Sequence, residues 1–208
     1  MYQSTKSFLS QNYRLLCVAL ATLAMLTTTG CATHYVDTSL KDIPPEKMAK
    51  VQDPKPVQLL FEFQTKGATN PRATDNLKTR VSDIVQKSGL FSQVAATPVS
   101  NGAVLNIVVN NVPLTDNAAA KGFATGLTLG LAGNTVTDGY ICTIDYIPSE
   151  SNPKISRTVR HAIHTTLGAS GAPVNAIKSA SVQDAIDTML KQIVSNGLND
   201  VASDTAFK

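Results

Sequence analysis

From residue 57 onward the hydrophobic positions alternate between two periods. In "VQLLFEFQ" Val57, Leu59, Phe61 and Phe63 share one parity, while Gln58, Glu62 and Gln64 take the other. A period of two predicts a strand. Between Pro71 and Ser88 the period lengthens: Leu77, Val81, Ile84 and Val85 form one stripe with charges elsewhere, which predicts an amphipathic helix. Gly89 follows as its stop signal. "LFSQVAATPV" predicts a short strand, and "AVLNIVVNNV", Ala103 to Val112, a β-branched one. "TVTDGYICTIDYI", Thr135 to Ile147, puts Tyr140, Cys142, Ile144 and Tyr146 on one side. After the turn-rich "PSESNPK", "ISRTVRHAIHTTL", Ile155 to Leu167, puts Val159, His161, Ile163 and Thr165 together. From Ser181 a second helix carries Ile186, Met189, Leu190, Ile193 and Val194, with Ser181 and Asp184 in the spacing of a cap.

This order predicts an α+β fold: a mostly antiparallel sheet with two main helices on one face, and a glycine-rich insertion at 118–136. Residues 32–56 carry four prolines and no sustained period. They read as a tether, averaging roughly 25–30 Å end to end if flexible. The expected organisation is 1–30 export signal, 31–56 tether and 57–208 domain.

The beginning of the chain changes the picture. Lys6 and Arg14 precede an apolar run from Leu15 to Leu26, and small residues follow. That is the layout of a secretory signal. The run is short for a bilayer span, which needs about 20 apolar residues. "TTGC", Thr28 to Cys31, resembles the lipobox of bacterial lipoproteins, although the family usually has Leu where Thr28 stands. The resemblance implies lipidation of Cys31 and anchoring in the bilayer through it. Ala32, where an aspartate would favour the inner membrane, implies the outer membrane with the domain facing the periplasm. Losing residues 1–30 takes the chain from 208 to 178 residues and from net +3 to +1. So weak a charge argues against a nucleic-acid partner.

"KTRVSDIVQKSGLFSQV", Lys78 to Val94, is a helix ending in "SGLF" ahead of a Val-led strand. It resembles the start of the TolB amino-terminal domain, of the lipoprotein activators of penicillin-binding proteins and of the curli-secretion channel lipoprotein, over roughly residues 57–112. The resemblance implies a domain used for protein contacts.

No catalytic constellation stands out. His161 and His164 are three apart, which on a strand puts them on opposite faces rather than on one metal. Each is expected as a lone surface or half-buried histidine, with His34 in the tether. Asp138, Asp145 and Glu150 make no convincing acid pair, and Asp145 is expected to be solvated. Cys142, the only cysteine after residue 31, is expected to be buried in its strand. No cofactor motif, metal-ligand spacing or enzyme signature is expected.

"GFATGLTLGLAG", Gly122 to Gly133, places Gly122, Gly126 and Gly130 four apart. On a helix this is a ridge for close packing. As a strand, Leu127, Leu129 and Leu131 alternate. A packed element, a membrane-contacting or oligomer-forming segment and a plain loop all remain open. Gly122, Phe123, Gly126, Leu127 and Gly130 are the candidate contact surface, for another envelope protein or a second copy. The expected function is a non-enzymatic binding or assembly accessory; the alternative is an oligomeric, channel-like lipoprotein.

Overall fold

The structure, a computed structural model, describes residues 32–114, 135–148, 153–168 and 171–207. Its elements are β1 (Ala32–Asp37), a 3-10 turn (Pro45–Lys47), β2 (Pro56–Thr65), β3 (Ala68–Thr69), α1 (Pro71–Lys87), β4 (Gln93–Ala95), β5 (Ala103–Pro113), β6 (Thr135–Ile147), β7 (Ile155–Leu167), β8 (Ala176–Lys178) and α2 (Val182–Ala202). The fold is α+β. One sheet runs in the order β3-β2-β5-β6-β7-β1-β8, with β4 also paired to β2. β5, β6 and β7 form an antiparallel meander, and β2 runs parallel to β5 and β4.

Local chemistry explains both helices. Asn70 caps α1 by accepting from the Ala73 N–H at 3.1 Å, and Pro71 opens the first turn where a missing N–H costs nothing. Thr74 Oγ1 accepts the Phe63 N–H at 2.9 Å, fastening the helix start to the end of β2. Gly89 takes φ +72° just past the helix, where a side chain would be strained. Ser181 caps α2 through the Asp184 N–H at 3.1 Å, while Asp184 reaches back to the Ala180 N–H at 3.0 Å.

Both helices pack on the sheet and on each other, α1 over β2 and α2 over β7 and β6. The core lies between: Leu105, Ile107 and Val109 face Tyr146, Ile144 and Cys142 across the ladder. From the helix layer Val81, Val85, Met189, Leu190 and Ile193 close over them, all fully buried. Gly197 lets α2 approach the sheet: a Cβ there would stand 2.7 Å from Ile144 Cδ1. Phe207 closes one end against Tyr146 and Phe91, with ring centroids 4.7 and 6.0 Å away.

The tether expectation for 32–56 fails. β1 lies between β7 and β8, with Tyr35, Val36 and Asp37 buried, and Met48 belongs to the core. The stretch between crosses α2 as a strap. The Ile43 N–H donates to Ser195 Oγ (3.0 Å), the Ala49 N–H to Asn199 Oδ1 (3.2 Å), and Asn196 Nδ2 to the Lys41 carbonyl (2.7 Å). Backbone groups bonded to polar side chains of a helix leave no hydrophobic period, so the strap reads as linker in sequence.

Candidate functional site

Several chain segments converge at one end of the sheet. β8 runs antiparallel to β1, Tyr35 opposite Lys178 and Asp37 opposite Ala176, and the Ser179 N–H donates to the His34 carbonyl at 2.9 Å. The start of β1 therefore lies beside the start of α2. α2 then runs back along β7: Gln192 meets His161, and Asp200 and Asp204 meet Arg157. The first turn of α2 thus lies over the Leu167 end of β7, where β6 begins, with Thr135 opposite Thr166. Val136, Leu167 and Val182 are exposed there at 48%, 47% and 50%. β5 ends here too, its Pro113 opposite Asp138 and the Leu114 N–H bonded to the Thr137 carbonyl. Both flanks of segment 115–134 are pinned at this end.

Next to this end lies a buried polar chain. Thr137 Oγ1 is 2.9 Å from His164 Nδ1, and His164 Nε2 is 3.5 Å from Asp37 Oδ2. Thr137 and His164 have no exposed surface and Asp37 has 1%. The Ser39 N–H donates to Asp37 Oδ1 at 2.8 Å. Burial pushes the Asp37 carboxyl up, but the His164 imidazole and the Ser39 bonds outweigh it and hold the group below the usual carboxylate range. Hydroxyl, imidazole and carboxylate stand in the order of a nucleophile relay. Buried in this way, the three side chains form a clasp that joins β6, β7 and β1. Among the described residues, Asp37 Oδ2, His164 Nε2 and Thr166 Oγ1 complete no hydrogen bond of normal geometry.

The two histidines do lie on opposite faces. His161 faces α2: its Nδ1 accepts the Ala162 N–H at 2.8 Å, which leaves Nε2 to donate to Gln192 Oε1 at 2.5 Å. Burial lowers its pKa, with the Gln192 contact opposing. Neither histidine is half-buried as expected. Both are fully buried, His161 beneath α2 and His164 between Thr137 and Asp37. His34 also departs from expectation, bonding through Nδ1 to Thr165 Oγ1 at 3.1 Å. Cys142 is buried in β6, and burial pushes its thiol up to about 12. Asp145 pairs with Lys154 at 3.3 Å and accepts from Ser156 at 2.6 Å, leaving its side chain 20% exposed.

Two open grooves flank the Arg80–Asp187 ion pair (2.9 Å) that joins the helices. One of about 530 Å³ is bordered by Phe63, Leu77, Tyr140 and Ile186, the other of about 480 Å³ by Ile43, Met48, Ile84 and Leu190. Among the described residues no cluster of three potential metal ligands occurs, and no helix is long and apolar enough to cross a membrane. Cys31, Gly122, Phe123, Gly126, Leu127, Gly130 and Glu150 lie outside the described residues. The clasp escaped sequence reasoning. Its one signal is the shared parity of Tyr35 and Asp37 in "THYVD", too short to separate from chance.

No known family model or curated protein matches the sequence. Solved structures with a similar arrangement include the PelC dodecamer from Paraburkholderia phytofirmans (12% identity, 82% of this chain, 97% of that one, TM-score 0.32). Another is the rare lipoprotein B from Shewanella oneidensis (13%, 70%, 94%, TM-score 0.37). A third is a minor lipoprotein from Acinetobacter baumannii (12%, 72%, 90%, TM-score 0.31). Two of these three neighbours are lipoproteins by name. Values this low carry no function over to this chain.

Proposed function

We propose that this chain is a lipid-anchored envelope protein with a non-enzymatic binding or assembly role, held in the outer membrane on its periplasmic side. The observation that carries the reading is the export pattern ending at Cys31, set against a sheet whose first strand begins at Ala32. Cleavage ahead of Cys31 would leave the described fold whole. The side chains that resemble catalytic groups, Cys142 and the Thr137–His164–Asp37 chain, are buried beyond substrate reach, which favours binding over chemistry.

Cys31→Ala, or globomycin treatment of cells, tests the anchor. The expected result is accumulation of the unprocessed or soluble form. Normal processing and membrane retention of the variant would refute the lipoprotein reading.

A second reading is an oligomeric, membrane-inserting lipoprotein using segment 118–136. It is favoured by the paired ends of β5 and β6, Pro113 opposite Asp138, which lie at the end of the sheet where β1 begins. This reading predicts oligomers that survive detergent and do not need the lipid. A Cys31→Ala protein that runs as a monomer in buffer would count against it.

A further inference from the structure

We infer that the end of the domain where β1 begins is a lipid-contacting surface, pressed onto the bilayer by the anchor; this deepens the proposed function and rests on lipidation of Cys31. No long spacer separates Cys31 from the fold. Thr33 lies two residues on, so its Cα is within about 7–8 Å of the Cys31 Cα. His34 and Tyr35 are already fixed, by Thr165 and by the ladder with β8. Acyl chains on Cys31 therefore bring this end to the headgroup layer.

The residues at that end suit a lipid surface. Val136, Leu167 and Val182 are exposed apolar side chains, about half accessible, around the start of β1. Lys66, in the β2–β3 turn, bonds its N–H to the Asn111 carbonyl and so shares this end. Arg72 lies in the first turn of α1 and Lys178 closes β8 there. None of these three cations takes part in an ion pair among the described residues. Apolar side chains ringed by cations fit the interface of an anionic phospholipid membrane, where each cation near the surface adds about 1 kcal/mol. Asp184, in the first turn of α2, moderates that attraction. At the far end of the same strand Ile147 is also exposed. It stands eleven residues from Val136, about 36 Å along β6.

The chain has no tryptophan, so single substitutions report position. Val136→Trp, Val182→Trp and Ile147→Trp would each be made in the full chain and purified from membranes. Mass spectrometry would identify the diacylglyceryl group before reconstitution into phosphatidylethanolamine–phosphatidylglycerol vesicles containing brominated lipid. The expected result is quenching of the Val136 and Val182 probes at least about threefold stronger than that of the Ile147 probe, as for side chains lying ~5–10 Å into the headgroup boundary. A twenty-residue Gly/Ser insertion after Ala32, about 25 Å in mean reach, should abolish the difference. Equal quenching at all three positions in lipidated, vesicle-bound protein would overturn the proposal while leaving the anchor intact. Protein without the diacylglyceryl mass that fails to float with vesicles would refute the underlying reading itself.

Discussion

Replacing Asp37 with alanine removes the carboxylate that ties β1 to the meander. The side chain is 1% exposed and does two things: it accepts the Ser39 N–H at 2.8 Å and faces His164 Nε2 at 3.5 Å. A buried N–H left without an acceptor costs about 1–3 kcal/mol. Removing one partner of a buried charged contact costs about 3–5 kcal/mol, because the other stays buried and uncompensated. These costs overlap, so the expected loss is about 3–5 kcal/mol, a large share of a stability of about 5–15 kcal/mol. Asp37→Asn keeps an oxygen for Ser39 and should lose less. The assay is equilibrium urea unfolding of the chain from residue 32 onward, at neutral pH and again in acid. The carboxyl is held below its ordinary value, so its stabilisation is present above about pH 4 and fades as pH falls through the lowered value. The gap between the original protein and Asp37→Asn should therefore narrow in acid. A cycle with His164→Ala completes the test. A loss under about 1 kcal/mol for Asp37→Ala, or strictly additive single losses, would refute the clasp.

Other consequences can be measured in the same way. His161 is held neutral by burial, so the unfolded chain takes up its proton first; stability should fall as pH drops below about 6.5, by up to ~1.4 kcal/mol per pH unit, and His161→Leu should flatten that interval. Gly197→Ala gains about 1 kcal/mol in helix propensity but forces Ile144 aside at a cost of about 1–3 kcal/mol; a net loss in urea unfolding, recovered in part by Ile144→Val, is expected. Cys142, buried with its thiol pushed up to about 12, should react with maleimide only as fast as the protein unfolds; rapid labelling of the folded protein would contradict its burial.

The elements legible in the sequence are those whose period was long enough to read. β6 and β7, thirteen residues each, and the stripes of α1 and α2 follow the pattern of their side chains closely, because each buries one face against the same core. β1, β3 and β8 are six, two and three residues long, too short to show a period, and the strap is held by backbone bonds that no side-chain pattern encodes. The buried histidines follow from the same gap. The strand period puts His161 and His164 on opposite faces, but their partners are Gln192 on α2, whose stripe is legible, and Asp37 on β1, which is too short to show a period. The polar cluster at Asp37 required knowing that residue 37 lies beside residue 164, a long-range pairing invisible to local patterning.

The placing of β1 between β7 and β8 has a kinetic side. Tyr35 pairs with Lys178, 143 positions later, so the sheet joins the first described strand to the last. Such high contact order delays closure, because the entropy of a long loop must be overcome before pairing gives anything back. The strand nearest Cys31 cannot find its β8 neighbour until nearly the whole polypeptide has emerged. On the export route proposed above, the chain would therefore stay open at its leading strand, in a threadable state, until the closing segment arrives.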